Sequence, residues 1–204
     1  MITSERGLCG GFNTSIVRKV KADILVLEEK GSSVKLIIIG KKGYDALKGK
    51  YSEYIHAYYR ILGDGFENFV NRIKQKIVDM VENDEIDSCY LYFNKFKNAM
   101  MQSVVKEQLL PIALPSKMSH SSKTYEYEGD SLVFKLIHLY IKGEINFSLL
   151  NSRASEEGAR MTAMDNATKN AKDIIKKLTL QLNRSRQATI TRELTEIISG
   201  SESM

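Results

Sequence analysis

Apolar and small residues recur three and four apart along the last fifty positions: Met164, Ala167, Ala171, Ile174, Leu178 and Leu182, then Ile190, Leu194 and Ile197. That spacing predicts an amphipathic helix. No proline interrupts residues 154–203, and the only glycines there are Gly158 near the start and Gly200 near the end. Upstream, Leu132, Phe134, Leu136, Ile137, Leu139, Tyr140 and Ile141 open the same reading. Residues 132–199 are therefore expected as one helix or two nearly collinear ones, with a rise of roughly 100 Å. Such a helix cannot bury its stripe against itself; it needs another helix or an enclosing partner. The pattern points to a mechanical or assembly role before a chemical one.

The first half has a different rhythm. Residues 1–4 resemble the tail of a strand, and Glu5 to Gly11 form a glycine-rich turn. Asn13 is expected to cap a helix carrying Ile16, Val17, Val20, Ile24 and Leu27 on one face, which Gly31 stops. Residues 34–39 form an apolar, β-branched run expected as a buried strand, followed by a short helix over 44–48. A strand is expected within 54–61. A helix over 66–82 presents Phe66, Phe69, Val70, Ile73, Ile77, Met80 and Val81, and a strand spans 89–96. Alternating strands and helices predict an α/β, Rossmann-like layer with a mostly parallel sheet. Both prolines, Pro111 and Pro115, lie in the stretch LLPIALPSKMSHSSK, read as a linker. The expected organisation is an α/β domain over 1–115, a loop or foot region over 116–131, and the long helix over 132–204.

Composition narrows the function classes. With 43% hydrophobic residues among 204, the chain can build a core. The net charge of +5 comes from 30 basic against 25 acidic residues, a mixed surface rather than a nucleic-acid footprint. Two cysteines, Cys9 and Cys89, and no secretory signal pattern at the start point to a reduced, cytoplasmic setting. No apolar run reaches the ~18 residues of a membrane span, so membrane association is expected to run through partners.

Candidate chemistry is sparse. Gly7, Gly10 and Gly11 lie between a strand and a helix start, where amides can cradle an anion. Their G-x-x-G-G spacing is not G-x-G-x-x-G, no Walker lysine follows, and no acidic ribose partner stands at Gly40-Lys41-Lys42. A structural turn is the expectation, and a nucleotide-binding enzyme using Gly7–Gly11 is the alternative. Cys9 lacks a nearby histidine or a C-x-x-C partner and reads as a packing residue. His56, His120 and His138 are scattered, so no metal site is expected. Glu156 and Glu157 lie on the long helix without a pocket and read as a solvated face, or as first-turn charge if the helix restarts there. Residues 183–200 instead carry Arg184, Arg186, Gln187, Thr189, Thr191, Arg192, Glu193, Thr195 and Glu196 around a thin apolar line. These are directional hydrogen-bonding groups, suited to a face that contacts another protein without adhering to it.

SERGLCGGFN near the start, ASEEGARMTAMDNAT, and NRSRQATITRELTEIISG at the end resemble three signature stretches of the gamma subunit of F-type ATP synthase, in order. The resemblance implies a central rotor shaft whose long helix pair forms an antiparallel coiled coil inside the ring of alpha and beta subunits. It implies an α/β domain beside the epsilon subunit on the membrane-embedded c-subunit ring. It also implies no catalytic site, no cofactor, and a place at the cytoplasmic face of a bacterial plasma membrane or the matrix side of an organelle membrane. Within the matched motifs, Arg186, Gln187, Thr191, Glu193 and Glu196 correspond to positions that meet alpha and beta in the bore, and Arg160 to a shaft arginine expected to face the head. Tyr125, Tyr127 and Glu128 fall at the foot expected to meet epsilon and the c ring. Family members carry a further long N-terminal helix before the ITS-x-RGLCGG strand. This sequence opens at Met1 within that strand, which reads as a fragment or an internal start, and the C-terminal stripe is expected to lack its coiled-coil partner.

Overall fold

The structure, a computed structural model, describes residues 1–61, 65–112 and 131–202. Its elements are α1 (Phe12–Glu29), β1 (Leu36–Ile39), α2 (Lys41–Leu47), β2 (Ile55–Tyr59), α3 (Phe66–Glu82), β3 (Cys89–Asn98), β4 (Met101–Leu110) and α4 (Ser131–Glu202). The chain divides into two units, Met1–Thr162 and Ala163–Met204.

In the first unit, β1 and β2 pair in parallel with Leu36 opposite Ile55 and Ile39 opposite Tyr59. Residues 1–3 join them as an extended segment: Thr3 N–H donates to Ile39 O at 2.8 Å and Ile39 N–H to Met1 O at 2.9 Å. On its other side, Ile2 N–H donates to Tyr92 O of β3 at 2.9 Å. Alternate side chains then point to opposite faces. Ile38, Leu36 and Tyr92 join Ile16, Val17, Val20 and Ile24 of α1 in one core, whereas Ile39, Leu91 and Phe93 join Val70, Ile73 and Ile77 of α3 and Ile141, Ile145 and Leu149 of α4 in the other. The α/β layer expected from the alternation is present, with helices on both faces.

Four local expectations change. The N-cap of α1 is Gly11, not Asn13. Asn13 lies inside the helix and turns back: its Oδ1 accepts from Ser4 N–H at 3.0 Å and its Nδ2 donates to Ser4 Oγ at 2.7 Å. The short second helix begins at Lys41, three residues early. On α3, Phe66 and Val81 are exposed, while Val78 is buried. Most consequentially, β4 pairs antiparallel with β3, with Phe93 opposite Val105, so the stretch read as a linker from Leu109 starts inside a strand, and Leu109 is fully buried. The ending of α1 is as expected. Gly31, at φ +72°, donates to Glu28 O at 2.8 Å and Ser32 N–H to Leu27 O at 3.0 Å, the paired bonds of a left-handed helix stop.

Further along α4, residues 155–162 grip the β3–β4 hairpin through small residues. Ser155 Oγ donates to Asn94 O at 2.9 Å, and Thr162 Oγ1 donates to Ala99 O at 3.1 Å. Between them, a Cβ on Gly158 would stand 3.2 Å from both Ala99 Cα and Ala99 O. Backbone cannot retreat as a flexible side chain does, so glycine fits there at its usual helical disadvantage of about 1 kcal/mol. Burial of Ile141, Ile145 and Leu149 contributes ~1.5–3 kcal/mol each toward holding this part of the helix.

A cavity of about 550 Å³ opens beside Met1, walled by residues that include Ile24 of α1, Ile37, Ile77 of α3 and Cys89 of β3. The Met1 ammonium donates to Ile37 O at 2.9 Å. Burial lowers its pKa from the ordinary 8.0 to about 6.

Two outcomes follow. Replacing Gly158 by valine should destabilise the chain by ~1–3 kcal/mol through overpacking against Ala99, read as a lowered denaturant midpoint; an unchanged midpoint would show that the helix does not bear on the hairpin. With Met1 as first residue, the folded chain binds fewer protons than the unfolded chain between pH 6 and 8. Stability should therefore rise with pH across that window, by on the order of 3 kcal/mol, and the rise should vanish when the amine is acetylated. Denaturation curves at pH 6 and pH 8 measure it.

Candidate subunit-contact surface

The glycine turn is wired inward. Gly10, at φ +54°, and Leu8, two residues before it at φ +63°, are both left-handed, whereas Gly11 sits at an ordinary φ of −81°. The buried Cys9 Sγ accepts from Asn13 Nδ2 at 3.1 Å, and Ser4 Oγ donates to Arg6 O at 2.6 Å. A Cβ on Gly7 would meet Lys42 Cε at 3.6 Å. Asn13 thus ties the strand end to the helix start through Ser4 and Cys9.

Arg160 lies in the first unit and is engaged within its own helix. Its guanidinium pairs with Glu156 and, at 2.8 Å, with Glu157. The hydrogen bond it donates to Glu156 is the chief cause raising its pKa. The reading of Glu156 and Glu157 as a solvated pair is corrected for Glu156, whose side chain is only 18% exposed. The helix does not restart there, since α4 runs unbroken through both residues.

The second unit holds the other expected head contacts. Every residue from Met164 to Ser201 is exposed. Helical spacing lays Ile190, Leu194 and Ile197 in one line, with Gln187 and Thr191 along one flank and Arg186, Glu193 and Glu196 along the other. Thr191 Oγ1 donates to Gln187 O at 2.9 Å, and Arg192 pairs with Glu196 at 3.5 Å. An exposed pair of this kind is weak and exchangeable, worth ~0.2–1 kcal/mol. Upstream on the same helix, Met164, Ile174, Leu178 and Leu182 are likewise exposed, Leu182 to 67%. Tyr125, Tyr127 and Glu128, named for the foot, lie outside the described residues, as does the 116–131 region apart from Ser131.

One cluster escaped the sequence reading. Asp23 of α1 accepts from Tyr92 Oη of β3 at 2.6 Å and pairs with Lys106 of β4 at 3.2 Å. Partial burial pushes the Asp23 carboxyl up, and the hydroxyl and ammonium outweigh it, leaving it below the usual range. Lys106 Nζ also lies 4.5 Å from the Tyr90 ring. These residues clamp α1 to the hairpin, and no sequence spacing links positions so far apart. Among the described residues no group of His, Cys, Asp or Glu is placed to hold a metal ion, and no helix is long and apolar enough to cross a membrane.

A family model described as ATP synthase matches residues 1–204. The ATP synthase gamma chain of Rickettsia felis is 56% identical over 208 aligned residues, covering 100% of this chain and 71% of that protein. That of Rickettsia canadensis is 54% identical over 205, with the same coverage. Among solved structures, the central stalk and c-ring of the Tetrahymena thermophila mitochondrial ATP synthase is similar at 28% identity and a TM-score of 0.65, covering 82% of this chain and 74% of that one. A chain of the Euglena gracilis mitochondrial ATP synthase, at 20% identity, shares the fold with a TM-score of 0.74, covering 100% of this chain and 71% of that one. Matched along its whole length by relatives more than half identical to it, the chain belongs to the gamma-chain family of ATP synthases.

Proposed function

We propose that this chain is the central rotor subunit of an F-type ATP synthase, coupling proton-driven rotation to ATP synthesis and hydrolysis at beta-subunit sites while holding no catalytic site itself. The observation that carries this reading is the second unit: a helix continuous with α4 that exposes an apolar line flanked by Arg186, Gln187, Thr191, Glu193 and Glu196 throughout. A rotor must touch a stator in many orientations and be held in none. Short-range directional donors around a thin apolar line meet both demands better than a broad apolar face. The α and β subunits of the head are the partners proposed for this face. Arg160 joins them by exchanging its Glu157 bond, which lies on the solvated side, for a partner carboxylate. The epsilon subunit and the c ring are proposed for the α/β domain and the foot, with Tyr125, Tyr127 and Glu128 at that contact. The complex would hold this chain at the membrane peripherally, on the cytoplasmic or matrix side.

The alternative, a nucleotide-binding enzyme using Gly7 to Gly11, has less support, because the G-x-x-G-G spacing departs from the dinucleotide-binding pattern, no Walker lysine follows, and Asn13 ties the turn to the strand end through Ser4 and Cys9. Titrating ATP or NAD into the chain separates the two: a saturable thermal shift would favour the enzyme.

Co-expressed with alpha and beta subunits, the chain should sit in the head. Arg186→Ala combined with Gln187→Ala should then weaken its retention or slow ATP turnover, each lost contact being worth ~1–3 kcal/mol where buried in the bore. Unchanged retention and turnover in the double variant would show that this pair is merely solvated. Failure of the unsubstituted chain to co-purify with the head would overturn the assignment of the face.

A further inference from the structure

The tip of the β3–β4 hairpin is braced by its own side chains, and one of its braced carbonyls is aimed at α4. Asn98 Oδ1 accepts from Met100 N–H at 3.0 Å, and Gln102 Nε2 donates to Ala99 O at 2.9 Å. Ala99 O also accepts from Thr162 Oγ1 at 3.1 Å, so both of its lone pairs are used. Lower on the hairpin, Asn94 is buried. Its Nδ2 donates to Phe12 O at 3.2 Å, at the start of α1, while its carbonyl accepts from Ser155 Oγ at 2.9 Å. Ser155 and Thr162 are seven residues apart, close to two helical turns, so both hydroxyls fall on one side of α4, about 10 Å from each other. Earlier in α4 the hold is chiefly apolar, through Ile141, Ile145 and Leu149. Apolar burial is non-directional: it keeps a helix on its surface and resists turning about the helix axis only weakly. Hydrogen bonds to fixed carbonyls lose strength steeply as their angles open, and so resist that turning.

We propose, on the rotor reading above, that the β3–β4 hairpin is a clamp that sets the rotational phase of α4, with Ser155 and Thr162 as its positioning residues. Turning of the α/β unit then passes to the helix instead of being lost as slip where the two pack. Neither residue touches a partner; both act through the helix they hold. Arg160 lies between them in the chain, so the clamp also fixes the direction in which its guanidinium is presented. Asn94 extends the hold to α1 through Phe12 O, so the grip on the shaft is continuous with the sheet's own framework.

The complete synthase in sealed vesicles, with this chain as its rotor subunit, tests it. ATP hydrolysis and proton pumping are measured side by side, and the readout is protons pumped per ATP hydrolysed. Ser155→Ala with Thr162→Val removes both hydroxyls at little cost in volume. Hydrolysis should stay near that of the unsubstituted complex, while pumping per ATP falls by roughly threefold or more, the order that one or two modest hydrogen bonds permit. Thr162→Ser, which keeps the hydroxyl, should pump normally. A merely structural role would lower the amount of assembled complex and leave pumping per ATP unchanged. If the double variant does not assemble, Thr162→Val alone, at a half-buried position, should still lower pumping per ATP. Unchanged pumping per ATP in these variants, or an equal loss in Thr162→Ser, overturns the clamp and leaves the rotor reading standing. Failure of the unsubstituted chain to assemble overturns both.

Discussion

Three residues at the start of the chain hold the first unit together. Ile2 and Thr3 are consecutive, and their amides point to opposite sides, one reaching Tyr92 O of β3 and the other Ile39 O of β1. Without this segment the parallel pair β1–β2 and the hairpin β3–β4 are two separate two-stranded sheets. A lone two-stranded sheet is marginal in water. The segment makes them one layer, and that layer gives α1, α3 and the start of α4 a surface to bury against. Its seat is prepared by Gly40, at φ +97°, where a Cβ would fall 2.1 Å from Thr3 O. Thr3 Oγ1 completes the seat by accepting from Gly43 N–H at 2.9 Å and donating to Ile39 O at 2.9 Å. Any side chain at position 40 would displace the segment.

The same helix lives in two environments. From Ile141 to Thr162 α4 is held by burial, by Ser155 and Thr162 on hairpin carbonyls, and by the close approach at Gly158. From Met164 to Ser201 every residue is exposed. There the helix depends on propensity, on weak surface pairs such as Arg192–Glu196, and on the nucleation already supplied by its anchored half. Hydroxyls at Thr189, Thr191, Thr195 and Ser199 bond to the carbonyl four residues back. Such bonds satisfy the side chain yet compete with the helical ladder, and they often bend a helix.

What was legible in the sequence was what periodicity encodes. The span of α3, read as 66–82, matches Phe66–Glu82, and the long helix read over 132–199 matches Ser131–Glu202. β4 was missed for a physical reason. Its sequence MQSVVKEQLL buries only Leu109 deeply, so it shows neither an apolar run nor a clean alternation. The turn before it, Ala99–Met100, carries none of the Gly, Asn or Asp that advertises a hairpin. Side-chain propensity marks Asn13 as a helix cap because it describes only neighbours along the chain. Its bonds are made to Ser4 and Cys9, partners brought near by a left-handed turn at Leu8 and Gly10. Likewise Glu156 next to Glu157 suggested two solvated charges. The fold turns one inward to Arg160, a distinction of helical phase that the adjacent letters do not show.

The candidate contact residues divide along the same line. Arg160 sits where the helix is anchored and already has carboxylate partners, so an incoming partner must compete with Glu157 at 2.8 Å. Arg186, Gln187, Thr191, Glu193 and Glu196 sit exposed, where an incoming partner competes with solvent and, at Glu196, with the weak pair to Arg192 at 3.5 Å. Desolvating an exposed arginine returns little unless the partner offers a carboxylate in good geometry, and then the bond is among the stronger ones available. The outer helix is therefore selective by chemistry rather than by shape. It gains most from a surface that alternates apolar contact with well-placed acceptors, and a merely greasy surface would leave its arginines and carboxylates buried without partners.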